Sequence, residues 1–534
     1  MVHDLPGVSR RRFLQSVGVS GGAGALFATM GALGLAPAAA SPAPPFQAPR
    51  RSDFTLTGRS AKKVVVLGGG VAGLASAYEL GKAGYDCTVL EARGVVGGRN
   101  LTVRGGTTET DLDGSTQRAA FSSGVYLNAG PARIAQWMVT LDYCRELGVP
   151  IEPFVNANAD ALIYNEAAGM LPGRPVRYRT AKADVYGYVA ELLAKATDQG
   201  ALDARLTAQD KERVLAFLQG FGAIGGRADD WAYRGGGRRG FASYPGPGTD
   251  AGTPLAGPGS LADVFASNVG RYFSFEFGYD QAMMMFQPVG GMDRIPYALS
   301  RAVGAGRIRL GAEITALEDR PGGVRVTYVQ RGRTRTVDAD FCVAALPPHL
   351  MARVPHNLGA GVQAALGSFP ATAAGKIGLE YRSRWWENDL RIYGGITETD
   401  LDLAHVWYPS HGFHNDRGLI VGYYNTGANA RAYGALTPEQ RALRAVEQGV
   451  KIHGEKYRSE LAASFSVAWQ RMRHLEGAWT APPYGTPGYN LLLEPAGRVY
   501  FAGDWLSHEV AWQHGSFVSA RAAVTAVHRR VMAG

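Results

Sequence analysis

The length and composition of the chain place it among large globular proteins. It has 534 residues, of which 46% are hydrophobic and 19% charged, a balance that excludes wholesale disorder. The length predicts two to four domains, and a chain of this size can fold without disulfides or structural metals. The 71 glycines follow no fixed period, which excludes a collagen-like repeat. Cys87, Cys144 and Cys342 are too scattered for a disulfide framework or a metal site, so we expect buried thiols and no metal.

The first 40 residues have the pattern of an export signal. Ser9–Leu14 reads SRRRFL, a twin-arginine signature, and the uncharged Gly- and Ala-rich stretch Val17–Ala40 follows it. Ala38–Ala40 supplies a cleavage site, so we expect a secreted chain that begins at Ser41; the alternative is a disordered Gly/Ala-rich leader. No later segment has the composition of a membrane span, which predicts no stable membrane anchor after cleavage.

The balance of charge is basic but diffuse. The formal net charge of +9 becomes +7 without the export signal, which carries three Arg and one Asp. The remaining basic residues are scattered, apart from Arg238-Arg239 in a Gly-rich loop and Arg529-Arg530 at the C-terminus. The sequence has no basic stripe interleaved with aromatic residues, so we predict a solvated basic surface and no nucleic-acid partner.

A βαβ unit follows a Pro- and Arg-rich linker. The stretch Lys62–Leu67, apolar from Val64 onward, predicts a buried strand, Val71–Gly81 a helix and Cys87–Glu91 a second buried strand. The turn between the first strand and the helix is rich in glycine. This order of elements is the context in which a glycine fingerprint binds a dinucleotide.

The fingerprint itself is G-x-G-x-x-G. Gly68 allows the tight turn, Gly70 lets the backbone approach a pyrophosphate, and Gly73 lets helix and strand pack closely. The helix N-terminus then presents free N–H groups to the phosphates. Glu91 ends the second strand, 18 residues after Gly73, where a carboxylate can accept from a ribose hydroxyl. The motif therefore predicts an adenine dinucleotide, with a purely structural Gly-rich turn as the alternative.

Periodicity predicts the remaining elements. The predicted helices are Thr180–Gln199, Thr207–Phe221, Leu261–Val269, Pro438–Tyr457 and Gln513–Val531, and a Gly/Pro-rich loop covers Gly235–Gly259. The predicted strands are Ile308–Leu310, Val324–Val329, Phe341–Ala345, β-rich segments within Gly375–Tyr424, and Gly497–Gly503. The sequence shows no internal repeat.

Four further motifs follow in order along the chain. Gly97–Arg99 (GGR) comes after the second strand, Pro288–Asp293 reads PVGGMD, Lys376 stands ahead of Trp385-Trp386, and Phe501–Asp504 reads FAGD. Together they resemble the fingerprints of the glutathione-reductase-like flavoproteins, and of the flavin amine oxidase superfamily in particular. The resemblance covers nearly the whole mature chain and implies FAD as the dinucleotide.

The same resemblance implies the fold. We expect an α/β chain (α+β overall) with a glutathione-reductase-like, doubly wound FAD-binding domain from discontinuous segments, a mixed-sheet substrate domain and a helical insertion. The expected boundaries are a signal peptide at 1–40, a linker at 41–60, the FAD-binding domain at 61–115, 289–345 and 496–534, the substrate domain at 116–165 and 346–495, and the helical domain at 166–288. Relatives commonly form dimers, which predicts a homodimer.

Within the superfamily, the chain resembles the L-amino acid oxidases more than the monoamine oxidases. Asn128–Arg133 (NAGPAR) resembles their element whose Arg binds the substrate carboxylate, and a guanidinium offers two parallel donors to such a group. Leu419–Tyr423 (LIVGY) resembles the strand whose Tyr donates a second hydrogen bond to it. The alternatives are that Arg133 is a surface or FAD-contacting side chain and that Tyr423 packs in the core.

Two segments resemble the parts of the family that flank the reacting amine. Ala511 and Trp512 fall where relatives place residues beside the amine and the flavin, and Trp469 aligns with a segment that brings Trp479 to the same place. We expect Trp479 and Trp512 to form an aromatic sandwich, the alternative being two ordinary packed Trp residues. Ala478 occupies the position of the flavin-linked Cys of monoamine oxidases, so we expect noncovalent FAD.

The resemblance assigns most of the chemistry to the cofactor, with hydride passing from the substrate Cα to flavin N5. It implies that Lys376 holds a water near N5 and assists reoxidation by O2, the alternative being an ordinary strand Lys. The helix that begins near Gln513 is expected to stabilise charge on the flavin. The predicted substrate contacts are Arg133, Tyr423, Trp479, Ala511 and Trp512. The predicted FAD contacts are Gly68, Gly70, Val71, Ala72, Gly73, Glu91, Ala92, Arg93, Gly98, Arg99, Gly130, Pro131, Ala132, Arg133, Ile314, Trp469, Gly503, Asp504, Ala511, Trp512 and Gln513.

These observations predict a secreted FAD-dependent L-amino acid oxidase. It would convert an L-amino acid with a large apolar or aromatic side chain, or a broad range of them, and O2 to a 2-oxo acid, ammonia and hydrogen peroxide. The first rival is an amine oxidase acting on substrates without a carboxylate. A tryptophan-oxidase-like enzyme, whose imine product feeds a biosynthetic pathway, and a flavin-binding protein without turnover are the others.

Overall fold

The computed structural model describes residues 53–166, 174–266, 269, 273 and 278–534. The predicted signal peptide and most of the predicted linker lie outside these residues. The described chain divides into a smaller unit within Leu162–Phe275 and a larger unit that combines Pro49–Ala161 with Glu276–Gly534. No helix among the described residues is long and apolar enough to cross a membrane.

A five-stranded parallel sheet lies at the centre of one part of the larger unit. Its central strand, Lys63–Leu67, has alternate side chains in two different hydrophobic clusters, one on each face. Val64 and Val66 pack with the helices Val71–Lys82 and Gln513–Met532, and Val65 and Leu67 pack on the other side. In sheet order the strands are Ile308–Leu310, Asp86–Glu91, Lys63–Leu67, Phe341–Ala344 and Val499–Phe501. Burial on both faces explains the continuous apolar runs and confirms the mixed α/β fold.

Antiparallel strands build the rest of the larger unit. In sheet order, five of them are Leu461–Ala468, Ala374–Tyr381, Gly418–Thr426, His405–Trp407 and Ile396–Thr399. Ala312–Arg320, Gly323–Gln330 and Arg333–Ala339 form a separate meander, of which the sequence predicts only the middle strand. The outer strands of the meander were missed because their side chains are largely polar and exposed.

Short strand pairs and helices complete the larger unit. The strand pairs are Thr102–Val103 with Leu127–Asn128, Thr108–Thr110 with Thr116–Arg118, Ile151–Val155 with Met284–Pro288, and Ala371–Thr372 with Trp479–Thr480. The remaining α-helices are Thr140–Glu146, Arg294–Val303, Pro348–Met351, Ala360–Gly367, Trp385–Asn388, Gly427–Gly434, Pro438–His453, Lys456–Ser459 and Pro487–Leu493. The single helix predicted over Pro438–Tyr457 is interrupted at Gly454, whose φ of 76° ends it.

The smaller unit is mainly helical. Its helices are Tyr178–Asp198, Ala208–Gly222 and Leu261–Ala266, and its strands are Leu162–Tyr164, Val176–Arg177, Phe241–Ser243 and Thr253–Pro254. Thr207 caps the second helix by accepting from the Asp210 backbone N–H at 3.2 Å. The buried ion pair between Arg239 and Asp184, 2.6 Å, joins the Gly-rich loop to the first helix. The unit spans most of the predicted helical insertion, and the finer domain boundaries stay predictions.

All three cysteines are buried free thiols. Cys87 and Cys342 lie on strands of the parallel sheet, and Cys144 lies on the helix Thr140–Glu146. Burial raises the pKa of Cys87 and of Cys144 to about 12, and it raises the pKa of Cys342 further still. None of the three is therefore a thiolate at neutral pH.

Candidate active site

The glycine-rich turn forms one wall of a cavity of about 300 Å³ at the carboxyl end of the parallel sheet. Gly68 has a φ of 99°, and a side chain at Gly70 would meet no atom within 4 Å, so this backbone is open to a ligand. A Cβ at Gly73 would lie 2.0 Å from the Gly68 carbonyl oxygen, which excludes any larger residue there. No side chain caps the helix that begins at Val71, so its N–H groups remain for phosphate oxygens.

Glu91 fixes the turn from the next strand. One of its carboxylate oxygens accepts from the Gly69 N–H and the other from the Arg93 N–H, both at 2.7 Å. Burial raises the pKa of Glu91, and these two hydrogen bonds oppose the shift. The Arg93 side chain forms an ion pair with Glu109 and does not line the cavity, and its contact with the cofactor stays a prediction. Glu91 retains lone pairs toward the cavity, where a ribose would lie.

Arg99 and Asp504 stand where this cavity meets a second one. The Arg99 guanidinium forms a two-pronged ion pair with Asp504 and donates to the Ala478 carbonyl at 2.6 Å. Asp504 also accepts from the Ala511 N–H at 2.9 Å. A Cβ at Gly503 would lie 2.3 Å from the Trp505 indole nitrogen, so glycine is required beside the pair. Of the predicted FAD contacts, this first cavity is lined by Gly68, Gly70, Val71, Ala72, Glu91, Ala92, Gly98, Arg99, Ile314, Gly503 and Asp504.

The second cavity, of about 640 Å³, is lined by most of the remaining predicted contacts, whereas Gly73 and Arg93 line neither cavity. It shares Arg99 and Asp504 with the first, and the helix that begins at Gln513 starts in its wall. Gln513 is held by a 2.5 Å hydrogen bond from its amide to Asn100. Predicted residues that line this cavity are Gly130, Pro131, Ala132, Arg133, Lys376, Trp469, Trp479, Ala511, Trp512 and Gln513. Because the two cavities share Arg99 and Asp504, an elongated dinucleotide held at the glycine-rich turn would extend from the first cavity toward the second.

Arg133 carries an unpaired charge in the second cavity. Its guanidinium lies 4.8 Å from the centre of the Trp407 ring. The Nη1 atom is buried and has no hydrogen-bond partner among the described residues. Burial is the main cause that lowers the pKa of Arg133, although a guanidinium remains charged at neutral pH. A buried donor without a partner is costly, and an anionic ligand would satisfy it.

Lys376 lies beside Arg133 on the strand Ala374–Tyr381. Its Nζ donates to the Gly130 carbonyl at 2.5 Å and lies 4.9 Å from the Trp407 ring centre. Burial and, to a smaller extent, the nearby charge of Arg133 lower the pKa of Lys376 from 10.5 to about 7. The Lys376 amine is therefore poised to exchange a proton near neutral pH.

The structure corrects the assignment of the second carboxylate donor. Tyr423 is fully buried on the opposite face of its strand, 4.6 Å from the Tyr433 ring, and does not line the cavity. Its neighbour Tyr424 does line it, with its ring 4.8 Å from the Lys376 Nζ and close enough to Arg133 to affect its pKa. Successive residues of a strand point to opposite faces, so an error of one residue moves the hydroxyl out of the site.

Trp479 and Trp512 both line the cavity, as expected. The Trp512 indole N–H donates to Asp280 at 3.1 Å, which fixes the orientation of the ring. Trp469 also lines the cavity, and its indole N–H donates to the Ala129 carbonyl at 3.2 Å. Ala478 lines the cavity as well, and its side chain offers no thiol to the flavin.

Trp407, Tyr424 and Asp280 are among the cavity residues that the sequence did not identify. The cations of Arg133 and Lys376 both lie over the Trp407 ring, and Asp280 lies in the loop that precedes the strand Met284–Pro288. Two pairs of adjacent aromatic residues, Trp407-Tyr408 and Tyr423-Tyr424, were the available signal for the first two. For Asp280 the sequence carries no distinguishing pattern.

The sequence matches the family described as flavin containing amine oxidoreductase over residues 71–528. Among curated proteins, it is 27% identical to an L-amino-acid oxidase of Notechis scutatus scutatus, with 88% of this chain and 87% of that protein covered. It is 25% identical to the putative L-amino-acid oxidase YobN of Bacillus subtilis (strain 168), with 86% and 93% covered.

Solved structures show the same fold. A cyclohexylamine oxidase from Brevibacterium oxydans IH-35A superposes with a TM-score of 0.59 at 16% identity, covering 89% of this chain and all of that one. A putrescine oxidase bound to putrescine superposes with a TM-score of 0.55 at 18% identity, covering 89% and 99%. At these identities the likeness concerns the fold alone. The match over residues 71–528 and the glycine cradle that fits a dinucleotide agree, and the chain belongs to the flavin-containing amine oxidoreductase family, with FAD as its cofactor.

Proposed function

We propose that this protein is an L-amino acid oxidase, and one observation carries the proposal: the buried, unpartnered Nη1 of Arg133. A substrate carboxylate would accept from the guanidinium and restore the missing hydrogen bond. Tyr424, on the strand Gly418–Thr426, lines the same cavity, and its hydroxyl would donate to the same carboxylate. A plain amine would leave Arg133 unpaired in a largely apolar wall, which costs binding energy.

The residues of the second cavity orient the substrate for oxidation. With the carboxylate on Arg133, the side chain extends past Trp479 and Trp512, which exclude water from the reacting carbon. Bound FAD supplies the acceptor for the hydride from Cα, and O2 then takes the two electrons and two protons as hydrogen peroxide. Water hydrolyses the resulting imino acid to a 2-oxo acid and ammonia. Lys376, whose pKa is about 7, would hold or release a proton at Nζ close to the substrate Cα.

The comparisons support a flavin-dependent oxidase. The choice between an amino acid and an amine as substrate rests on the residues of the second cavity. The curated relatives named above are L-amino-acid oxidases, whereas the solved structures named above are oxidases of amines. The alternative is therefore an amine oxidase without a carboxylate anchor. Substrates that differ only in the carboxylate decide between the two.

The test compares L-phenylalanine with phenethylamine in a peroxide-coupled assay. Wild type should favour the amino acid, and Arg133→Leu should lower its kcat/KM by about ten- to a hundredfold, because charged hydrogen bonds of about 1.5–3 kcal/mol are lost. Arg133→Lys should also be impaired, since it keeps the charge and loses the fork. Arg325→Leu, an identical change in the polar meander, is the matched control and should leave the rates unchanged. Equal wild-type rates on both substrates, or an Arg133→Leu variant without effect, would contradict the proposal.

We also retain two proposals that concern the whole chain. The twin-arginine pattern of residues 9–14 supports secretion in a folded, FAD-loaded form. The behaviour of relatives supports a homodimer. Both rest on the sequence and the resemblance alone.

A further inference from the structure

One acidic side chain in the second cavity is not explained by binding the cofactor or the carboxylate. Among the described residues that line this cavity, Asp280 and Asp504 are the acidic ones. Asp504 is bound to Arg99 and to the Ala511 N–H. Asp280 forms no ion pair with any described residue and accepts only from the Trp512 indole, at 3.1 Å. Asp280 is therefore a carboxylate of the cavity wall without a cationic hydrogen-bond partner among the described residues.

Asp280 lines the same cavity as Arg133, the proposed anchor for the substrate carboxylate. The negative charge of Asp280 acts to raise the pKa of the Arg133 guanidinium. No ion pair joins the two, so the cavity has a positive anchor and a separate negative one. Trp479 and Trp512 line the same cavity, and their rings suit an alkyl chain or a cation. A ligand with a negative end and a positive end, linked by methylene groups, matches this set of residues.

A second carboxylate reinforces the negative side. Glu509 lies in the loop that leads to Trp512, and it accepts from the Tyr279 hydroxyl at 2.8 Å. Tyr279 is the residue before Asp280, so the two acids belong to loops that are joined by two hydrogen bonds. Glu509 also contributes to raising the pKa of Tyr484, which lines the cavity. Two carboxylates therefore lie on this side of the cavity, where a cation would be favoured.

We infer that Asp280 selects the substrate side chain and that the preferred substrate is a basic L-amino acid, with a terminal ammonium or guanidinium. The inference rests on the proposed function for the carboxylate, and it replaces the large apolar or aromatic side chain expected from the sequence with one that has a cationic end. The Asp280 carboxylate accepts hydrogen bonds from the cationic end of the side chain, and the Trp512 indole N–H keeps the carboxylate in position. An apolar side chain of the same length leaves Asp280 without a counter-ion.

Four substrates separate the two anchors. L-Lysine and L-norleucine carry the α-carboxylate, and cadaverine and n-pentylamine are their decarboxylated forms. L-Lysine and cadaverine carry the terminal cation, and the other two lack it. The carboxylate comparison tests the proposed function, and the cation comparison tests the role of Asp280. In wild type we expect kcat/KM for L-lysine to exceed that for L-norleucine by about tenfold or more.

Asp280→Asn removes the charge and keeps an oxygen for the Trp512 indole. We expect it to lower kcat/KM for L-lysine by about tenfold and to leave that for L-norleucine within about threefold. Asp86→Asn, the same change at an exposed strand end, is the matched control and should alter neither. Calorimetric titration with α-methyl-L-lysine and α-methyl-L-norleucine, which have no Cα hydrogen to lose, gives the same comparison without turnover.

The outcomes are separable. If L-norleucine equals or exceeds L-lysine in rate and in binding, or if Asp280→Asn leaves their ratio unchanged, the inference about Asp280 is wrong and the carboxylate anchor still stands. If cadaverine matches L-lysine while Asp280→Asn weakens both, Asp280 binds a cation and the amino acid proposal fails. A loss of the preference for L-lysine over L-norleucine in Asp280→Asn supports the role of Asp280, and a wild-type preference for L-lysine over cadaverine supports the amino acid proposal.

Discussion

Adjacent tyrosines on one strand offer a sharp test of the site. Tyr424 lines the second cavity beside Arg133 and Lys376, and Tyr423 is buried on the other face. Tyr424→Phe removes one hydroxyl and keeps the ring, which packs 5.2 Å from Trp407. Tyr423→Phe makes the same chemical change one residue away. The pair therefore isolates the direction of the hydroxyl from every other property of the residue.

The expected magnitude follows from the type of hydrogen bond. A hydroxyl that donates to a carboxylate contributes about 1.5–3 kcal/mol, which corresponds to about ten- to a hundredfold in kcat/KM. Because the Tyr424 side chain is partly exposed, we expect the lower end of that range. The Tyr423 side chain contacts Tyr433 and lies near Arg441. Removing its hydroxyl in Tyr423→Phe should therefore change the free energy of unfolding by about 1 kcal/mol and leave kcat/KM within about twofold.

The assay is steady-state peroxide release with an L-amino acid and with its decarboxylated analogue, together with a melting temperature for each variant. Tyr424→Phe should lose rate on the amino acid only, because the analogue makes no contact with the hydroxyl. A larger catalytic loss for Tyr423→Phe than for Tyr424→Phe would refute the strand register described here. No loss for either variant would refute the contact between Tyr424 and the carboxylate.

Two further predictions concern the cofactor and the buried amine. Denaturation with acid or guanidinium should release all flavin absorbance into the supernatant, because Ala478 offers no thiol and the three cysteines do not line either cavity; flavin retained on the precipitated chain would contradict this. The pKa of Lys376 is about 7 in the folded chain and 10.5 ordinarily, so the unfolded chain binds the extra proton between these values and the folded chain is destabilised as pH falls from about 10.5 to 7. Relative to Lys376→Met, the melting temperature of wild type should therefore rise from pH 7 to pH 10; a constant difference would show that Lys376 stays protonated in the fold.

The cofactor cradle could be predicted because its geometry is local. Gly68, Gly73 and Glu91 belong to one βαβ unit of contiguous sequence, and each glycine answers a steric demand inside that unit. The helix Val71–Lys82 differs from its predicted end by one residue. Sequence spacing alone fixes such an arrangement.

The residues that surround Arg133 in the second cavity could not be predicted in the same way. Trp407, Tyr424 and Asp280 come from three separate segments, and only the pairing of strands and the folding of a loop bring them to Arg133. The choice between Tyr423 and Tyr424 depends on strand register, which no local propensity determines. Arg133 was identified through resemblance, and its missing hydrogen-bond partner is visible only in three dimensions.

The burial of the thiols has a consequence for the proposed oxidase, which would release hydrogen peroxide. Peroxide oxidises thiolates far faster than thiols, and Cys87, with its pKa near 12 and almost no exposed surface, offers neither charge nor access. Cys144 and Cys342 are protected in the same way. Among the described residues, the exposed thioethers are those of Met283, Met284 and Met532, which are 59%, 45% and 46% exposed. Peroxide would therefore oxidise these methionines before the cysteines, and methionine sulfoxide, unlike the higher oxidation states of cysteine, can be reduced back.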